Sequence, residues 1–528
     1  MAEVSETFYP WQIKAWERIR DKDAVLAAPT GSGKTWVAYL WSGLMDLQGR
    51  VWPPGTRRVI FTAPIKALSN ERYLELRRMG LDVGIETGDF KKNEDAPVIC
   101  CTQEIYTLKY AGSPGLRVVI DEFHYIFDDP DRARTYIEGI VATSPDSPVL
   151  VMSATFGGAR SVTDYLRGIT GRPFALYEGR ERVTRLVFTP RKPAVLEKLH
   201  DALVFCFSQK GSMDLAYKIA RRRPRRGKAH RQRIYELAEI LDVGDVSMPL
   251  LRGVGVYHGG MLPKEKLLVE SAFRERILDV VCGTNALALG VNLPAEYVVF
   301  AQLVRFHDRE PISRNEFLQM AGRAGRKGLF ETGYVTWLKG SPQESRGSDT
   351  GKIFRRLVSA QPESASVTLR PDYGKLLKGQ RLIPDEAEYI ASFSLPPRDV
   401  PTVEAELRAG LKFIDRSIRE MVDLDWRERF REVLADIWYG EMEISENLEM
   451  AGLFLETGKA DALTAAQVIN LFEKSYLKSL LKVKRFSNHL PSQYEVTGMH
   501  YLDRTVDEID GTIYGFEEKI QEIEESSS

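Results

Sequence analysis

The sequence predicts an α/β fold of two tandem domains, each a parallel sheet flanked by helices, followed by a mainly α-helical region. Three observations predict it. From about residue 24 to residue 340, short β-branched runs alternate with helical patterns, as they do in a parallel sheet wrapped by helices. The series of strands restarts after the stretch Thr189-Pro190-Arg191-Lys192-Pro193, which argues for two sheets in place of one very large one. Beyond about residue 345 the strand signals fade and long helical patterns take over. A chain of 528 residues has ample length for several cores of ordinary size.

In the first domain, residues 1–188, the strand candidates are VLAAP, RRVIFTAP, VGIET, PVICCT, LRVVIDEFH and PVLVMSAT. In the second, residues 189–342, they are ALVFCFSQ, VGVYHGG, ILDVVCGT, YVVFAQLV and GYVTWL. In the third region, residues 343–528, Leu407, Leu411, Ile414, Ile418 and Met421 recur at steps of four and three, which is one apolar helix face. The closing EEKIQEIEESSS reads as a fraying acidic helix end.

Composition narrows the function. No window holds the uncharged apolar run that a membrane span needs, and MAEVSETFYP carries acids where a secretory signal carries basic residues, so a cytoplasmic protein is expected. Cys100, Cys101, Cys206 and Cys282 sit in apolar runs without C-x-x-C spacing and read as buried thiols. Lys plus Arg number 73 against 74 Asp plus Glu, so a polyanion would have to be met by a local basic groove.

The strand VLAAP runs into Thr30-Gly31-Ser32-Gly33-Lys34-Thr35 and then into the helical WVAYLWSGL. Strand, glycine loop and helix make a phosphate cradle, which implies ATP and Mg2+ as cofactors. Glycines let backbone N–H groups converge on phosphate oxygens, Lys34 reaches the β and γ phosphates, and Thr35 ligates magnesium. Ala28 stands where the general pattern has its first glycine. A second strand, LRVVI, ends in Asp121-Glu122-Phe123-His124, at the sheet edge where ligands bind. Asp121 is the expected partner of the magnesium, and Glu122 the expected base that orients or deprotonates the attacking water. In FLQMAGRAGRKG, Arg323 and Arg326 stand three apart, one face if the segment is helical, and read as arginine fingers acting across a cleft; Gln319, one turn earlier, would position the water.

Taken in order from residue 8 to residue 340, the segments FYPWQ, APTGSGKT, APIKALSNE, TGD, TQE, DEFH, SAT, CFSQK, VYHGGMLPKEK, TNALALGVNLPA and QMAGRAGR form a recognisable set. The set resembles the superfamily-two DExH-box helicases, and most of all the Ski-like (superkiller-type) RNA helicases. APIKALSNE, YHGGMLPKEK and ALGVNLPA separate it from the DEAD-box proteins. The resemblance implies two RecA-like domains and a monomeric ATP-driven motor on single-stranded or partly duplex nucleic acid, RNA favoured over DNA. It implies that Gln12 reads the adenine edge, with Phe8 or Trp11 packing on the ring, though both aromatics read equally well as core residues. Thr30, Gly31, Ser32, Gly33, Lys34 and Thr35 would hold the nucleotide, and Gly290 with Asn292 would lie near the ribose and the hinge. His124, Ser153 and Thr155 would couple nucleotide state to the strand. Pro64, Lys66, Thr87, Gly88, Thr102, Ser208 and Thr284 would line the groove along the phosphodiester backbone, contacts that position a strand without reading its sequence.

Three further features invite nucleic acid. YVVFAQLVRFHDREPISRNEF resembles the family's strand-separating hairpin, with Phe306 or His307 near its turn, although a hairpin that merely extends the sheet reads equally well. The insertion after CFSQK holds Arg221, Arg222, Arg223, Arg225, Arg226, Lys228 and Arg231, which reads equally as a phosphate-binding cluster or a solvated surface. Lys474, Lys478 and Lys482, beside Lys484 and Arg485, make one basic helix face; in the family such a helix tracks the exiting strand. Residues 343–528 offer no comfortable room for both the winged helix and the larger bundle that the family usually adds. A DNA helicase of the same group stays open, because a 2′-hydroxyl contact is invisible in sequence. A scaffold with a vestigial ATPase is opposed by the intact set Lys34, Asp121, Glu122, Arg323 and Arg326.

Overall fold

A computed structural model describes residues 8–421 except 88–90, 128, 155, 196–197, 242, 245, 259–260, 262, 289–292, 294, 306–309, 326–328, 340–348 and 378. The expectations placed on Gly88, Thr155, Gly290, Asn292, Phe306, His307, Arg326, Lys474, Lys478 and Lys482 lie outside the described residues, as does the side chain of Lys66. Met1–Tyr125 with Glu138–Ala365 form one compact unit, and Ile126–Ile137 with Ser366–Ser528 form another.

The first unit holds both predicted sheets. Strands β1 (Ala24–Ala27), β2 (Arg58–Ala63), β3 (Val83–Glu86), β4 (Lys91–Lys92), β5 (Val98–Thr102), β6 (Leu116–Ile120), β7 (Val149–Ser153) and β8 (Ala175–Glu178) form an eight-stranded sheet in the order β4-β3-β5-β2-β6-β7-β1-β8. Only the β3–β4 pair is antiparallel. Strands β9 (Arg185–Phe188), β10 (Ala202–Phe205), β11 (Val254–Tyr257), β12 (Val280–Gly283), β13 (Tyr297–Phe300) and β14 (Thr332–Trp337) form a six-stranded parallel sheet in the order β11-β12-β10-β13-β14-β9. The architecture is therefore two RecA-like α/β domains. Central strands are covered on both faces, so they read as unbroken apolar runs: VICCT of β5 and VLVMS of β7 are buried throughout. Helical crossovers return the chain to the same edge each time, which lines the carboxyl ends of the parallel strands along one edge of each sheet.

Two boundaries differ from the sequence reading. Strand β9, assigned to the first domain when the border is drawn at residue 188, pairs with β14 in the second sheet. The helix Thr350–Ser359, assigned to the accessory region, packs Phe354 and Leu357 into the core of the second sheet. Phe354 lies 5.4 Å from Phe317 and 5.4 Å from Trp337, ring centre to ring centre, in a stack that Phe300 extends. An amphipathic pattern announces a helix but not the sheet that receives its apolar face.

The second unit is helical where described, with helices Tyr373–Leu377, Ile383–Phe393 and Val400–Met421. Leu407, on the predicted apolar face, is fully buried. At the centre of this unit Glu386 is wholly buried. Its Oε1 accepts from Arg134 Nη1 and from the Asp372 amide (2.8 Å), and its Oε2 from Arg134 Nη2 (3.2 Å), with Arg381 Nη1 at 3.1 Å. All four cysteines are free and buried. Among the described residues no helix is long and apolar enough to cross a membrane.

Candidate active site

Strand β1 delivers the chain into Gly31 and Gly33, both left-handed with φ of 76° and 90°, before the helix Lys34–Ser42 begins. A side chain at Gly33 would place its Cβ 2.7 Å from Gln12 Nε2 and displace that amide, and the φ of 90° favours glycine whatever the space. Lys34 is buried inside this loop, where its Nζ donates to the carbonyls of Ala28 (3.0 Å) and Pro29 (3.5 Å). The Ser32 hydroxyl is buried without a hydrogen-bond partner among the described residues. Left-handed glycines, an inward lysine, an orphaned hydroxyl and a helix N-terminus together fit a phosphate chain.

With β7 between them, β6 brings Asp121 and Glu122 beside that loop. Glu122 adopts φ of 51°, a left-handed conformation that strains a non-glycine residue. Its N–H donates to Asp121 Oδ1 at 2.8 Å. Burial pushes the Asp121 carboxyl pKa up, with Glu122 adding to the effect and Arg72 and Lys34 opposing it. Glu122 Oε2 is buried and has no hydrogen-bond partner among the described residues. His124 Nδ1 stands 3.3 Å from it, but that nitrogen accepts the Ala154 N–H at 3.3 Å and has no proton to offer. Burial, then the charges of Lys34 and Arg323, push the His124 pKa down to about 3, so the ring is neutral. Its other ring nitrogen, Nε2, lies 2.9 Å from Gln319 Nε2.

Gln319 comes from the second sheet's side, on the helix Arg314–Ala321. That helix ends at Ala321, so Arg323 follows it in a turn, and the expected helical face shared with Arg326 is not formed at Arg323. Arg323 donates to the Ala288 carbonyl and borders the cleft. Gly322 packs against the phosphate loop so closely that a Cβ there would lie 3.0 Å from Thr30 Cβ. Gly31, Gly33, Thr35, Asp121, Glu122 and Arg323 thus share one cleft of about 290 Å³. Ser153, at the end of β7, is fully buried with its hydroxyl unpartnered among the described residues. Just beyond it, the Gly157 carbonyl accepts the Ala365 N–H at 2.9 Å, while Glu363 accepts the amides of Arg314 (2.6 Å) and Asn315 (2.9 Å). One short segment therefore ties the loop after Ser153 to the helix bearing Gln319.

Gln12, the adenine reader that the resemblance implies, lies beside the phosphate loop. Its Oε1 accepts the Tyr9 amide (2.8 Å) and its Nε2 donates to the Gly33 carbonyl (3.0 Å), so the amide ties the start of the helix Pro10–Ile19 to the phosphate loop. Of the two aromatics, Phe8 meets Trp36 edge-on at 6.5 Å and Trp11 stacks on Tyr177 at 6.4 Å, both in the core. Two arginines that no sequence motif singles out also reach the cleft or its loop. Arg72 reaches Thr35 and Asp121 from the helix Lys66–Arg78. Arg182 donates to the carbonyls of Ala324 (3.0 Å) and Gly322 (3.4 Å), and lies beside Gly31. Burial alone lowers its pKa.

A DEAD/DEAH box helicase family model matches residues 9–163, and a helicase conserved C-terminal domain model matches residues 195–328. The chain is 29% identical to "Probable helicase HelY" of Mycobacterium tuberculosis, over 65% of this chain and 47% of that protein. It is 27% identical to "ATP-dependent RNA helicase mtr4" of Schizosaccharomyces pombe, over 62% of this chain and 37% of that protein. The chain carries the two domains of a superfamily-two helicase, and its relatives support a Ski-like one. A third relative of this helicase, "ATP-dependent DNA helicase Hel308" of Aeropyrum pernix, is 31% identical over 63% of this chain and 50% of that protein. The helicase spans about half the length, or less, of these relatives.

The expected groove-lining residues that are described follow or close parallel strands at their carboxyl ends. Pro64 follows β2, Lys66 opens the next helix, Thr87 follows β3 and Thr102 closes β5. Ser208 and Thr284 follow β10 and β12, and each hydroxyl caps a helix, accepting from Gly211 N (3.0 Å) and Ala286 N (3.4 Å). Both keep an O–H free to donate. In the basic insertion, Arg223 and Arg226 both pair with Asp279, and Arg223 also donates to the Leu199 carbonyl. These two clamp the fold, while Arg221, Arg222, Arg225, Lys228 and Arg231 are exposed. Around the segment 306–309, the amide of Arg305 donates to Glu310 O (3.0 Å) and Val304 bridges Pro311 in antiparallel fashion, the base of a hairpin.

Proposed function

We propose that the helicase is an ATP-dependent RNA motor that couples hydrolysis to translocation on one strand and to duplex unwinding, acting as a monomer in the cytoplasm. The observation that carries this reading is the convergence of Thr35, Asp121, Glu122 and Arg323 on one cleft, beside the loop that holds Lys34, with a buried Glu122 oxygen that no described residue satisfies. Thr30 to Gly33 and Lys34 hold the triphosphate. Thr35 and Asp121 offer a hydroxyl and a carboxylate, oxygen ligands that suit Mg2+, which when bound neutralises charge on the β and γ oxygens. Glu122 takes the proton of the attacking water, and neutral His124 holds Gln319 in place to orient it. Arg323, with Arg326, meets the charge that develops on the transferred phosphoryl group. Ser153 and the segment ending at Ala365 transmit the state of the cleft to the strand-binding edge.

RNA is favoured because the motif set is most like the Ski-like RNA helicases and a relative is named an RNA helicase. The second reading, a DNA motor, rests on the relative named a DNA helicase. Steady-state ATP hydrolysis at one stated salt concentration decides between them, measured without polymer, with single-stranded RNA and with single-stranded DNA of matched sequence. Stimulation by RNA alone is expected. Equal or greater stimulation by DNA moves the protein to the second reading, and stimulation by neither sinks the motor reading.

A further inference from the structure

The helix Lys66–Arg78 aims one guanidinium into the cleft. Arg72 Nη2 donates to Thr35 Oγ1 at 3.3 Å and to Asp121 Oδ2 at 3.3 Å, the two oxygens assigned above to the metal. Its other terminal nitrogen, Nη1, donates to Tyr39 OH and Glu75 Oε2, each at 2.7 Å. The ring of Tyr39 lies 5.6 Å from the guanidinium carbon. One side of the guanidinium is therefore held by two short bonds and a ring face, and the other by two long ones. The long pair yields first.

We propose that Arg72 is the resident cation of the metal site, occupying the space between Thr35 and Asp121 in the nucleotide-free cleft and giving way only when a nucleotide arrives with its magnesium. The proposal rests on the metal assignment made under the proposed function. Its electrostatic logic is simple. Asp121 and Glu122 are adjacent carboxylates beside a hydroxyl, a set that would draw a divalent cation by itself. A fixed positive charge against both ligand oxygens fills that place and repels a second cation. The phosphates of the nucleotide reverse the balance, because they bring enough negative charge to hold the metal and Arg72 together. Tyr39 and Glu75 keep the guanidinium nearby throughout, so that Nη2 swings while Nη1 stays. The metal then enters with the nucleotide and not before it, and Arg72 acts as a positioning residue for the ligand pair.

The test is Mn2+ binding to the nucleotide-free full chain, read from the free-Mn2+ paramagnetic resonance signal, with folding checked by thermal melting. Arg72→Gln removes the charge and keeps a donor; it is expected to bind Mn2+ at least tenfold more tightly than the unaltered protein. Arg72→Lys keeps the charge and is expected to stay within threefold of it. Adding Asp121→Asn to Arg72→Gln is expected to erase the gain. Equal affinity in Arg72→Gln and the unaltered protein overturns the proposal, as does a gain in Arg72→Lys as large as in Arg72→Gln. The underlying metal assignment is tested separately by Mn2+ binding with ADP present. Indifference of that binding to Asp121→Asn sinks the assignment itself, whereas loss of it upholds the assignment whatever Arg72 does.

Discussion

Two buried carboxylates in this protein are treated in opposite ways. Glu386, in the second unit, has each oxygen matched by donors from Arg134 and further partners in Asp372 N and Arg381. Glu122, in the cleft, has an oxygen buried without a partner among the described residues and a backbone held at φ of 51°. Buried polar atoms are nearly always satisfied, so the unsatisfied one marks where the fold stops supplying partners and something else is meant to. Ser32 and Ser153 repeat the pattern around Glu122, each with a buried hydroxyl lacking a partner among the described residues. The contrast is between a carboxylate that the described residues pair at both oxygens and one that they leave open at an oxygen in the cleft.

The sharpest way to break this comparison is to neutralise each carboxylate in turn. Glu122→Gln is expected to slow ATP hydrolysis by about 10²–10⁴-fold, the range for loss of a general base, while ATP binding persists. Turnover near that of the unaltered protein, measured beside fluorescent-nucleotide affinity, removes Glu122 from the chemistry. Glu386→Ala leaves Arg134 buried without its carboxylate, and a loss of about 3–5 kcal/mol is expected in urea denaturation. A loss under about 1 kcal/mol in that measurement places Glu386 within reach of solvent and makes it an ordinary surface pair.

A smaller effect sharpens the same contrast through pH. The folded His124 pKa, about 3, lies below the ordinary 6.5, so the unfolded chain takes up the proton first. Its contribution to stability is complete above 6.5 and is lost as pH falls from 6.5 toward 3. His124→Asn, which cannot titrate, is expected to show a shallower fall in melting temperature across that window. Parallel curves for the two proteins contradict the neutral, buried imidazole.

The sequence made most of the fold legible for one reason: strands covered on both faces must be apolar at every position. LRVVI and VICCT announce themselves, whereas ALYE of β8 and RLVF of β9, edge strands that are half-buried with polar termini, do not. That is why a border read from the sequence at residue 188 leaves β9 with the first sheet, although it pairs with β14 in the second. The candidate site follows the same division. Lys34, Asp121 and Arg323 sit in contiguous motifs whose chemistry is local. Arg72 lies in ERYLELRR, which reads as a charged solvated helix, and Arg182 in the polar loop GRER. Their positions depend on convergence of distant segments, which neither periodicity nor spacing records. Gln12 shows the converse: a residue legible from its motif, whose amide braces Gly33.

The left-handed backbone at Glu122 also bears on how this protein would respond to selection. Glycine adopts that conformation without the strain of about 1–3 kcal/mol that another residue carries. Screened for heat resistance alone, a library of variants would be drawn toward Glu122→Gly and would gain robustness by discarding the carboxylate. Glutamate persists at this turn only under a demand for turnover, so a survey of position 122 in heat-selected survivors would tell apart populations that were asked to work from those asked merely to endure.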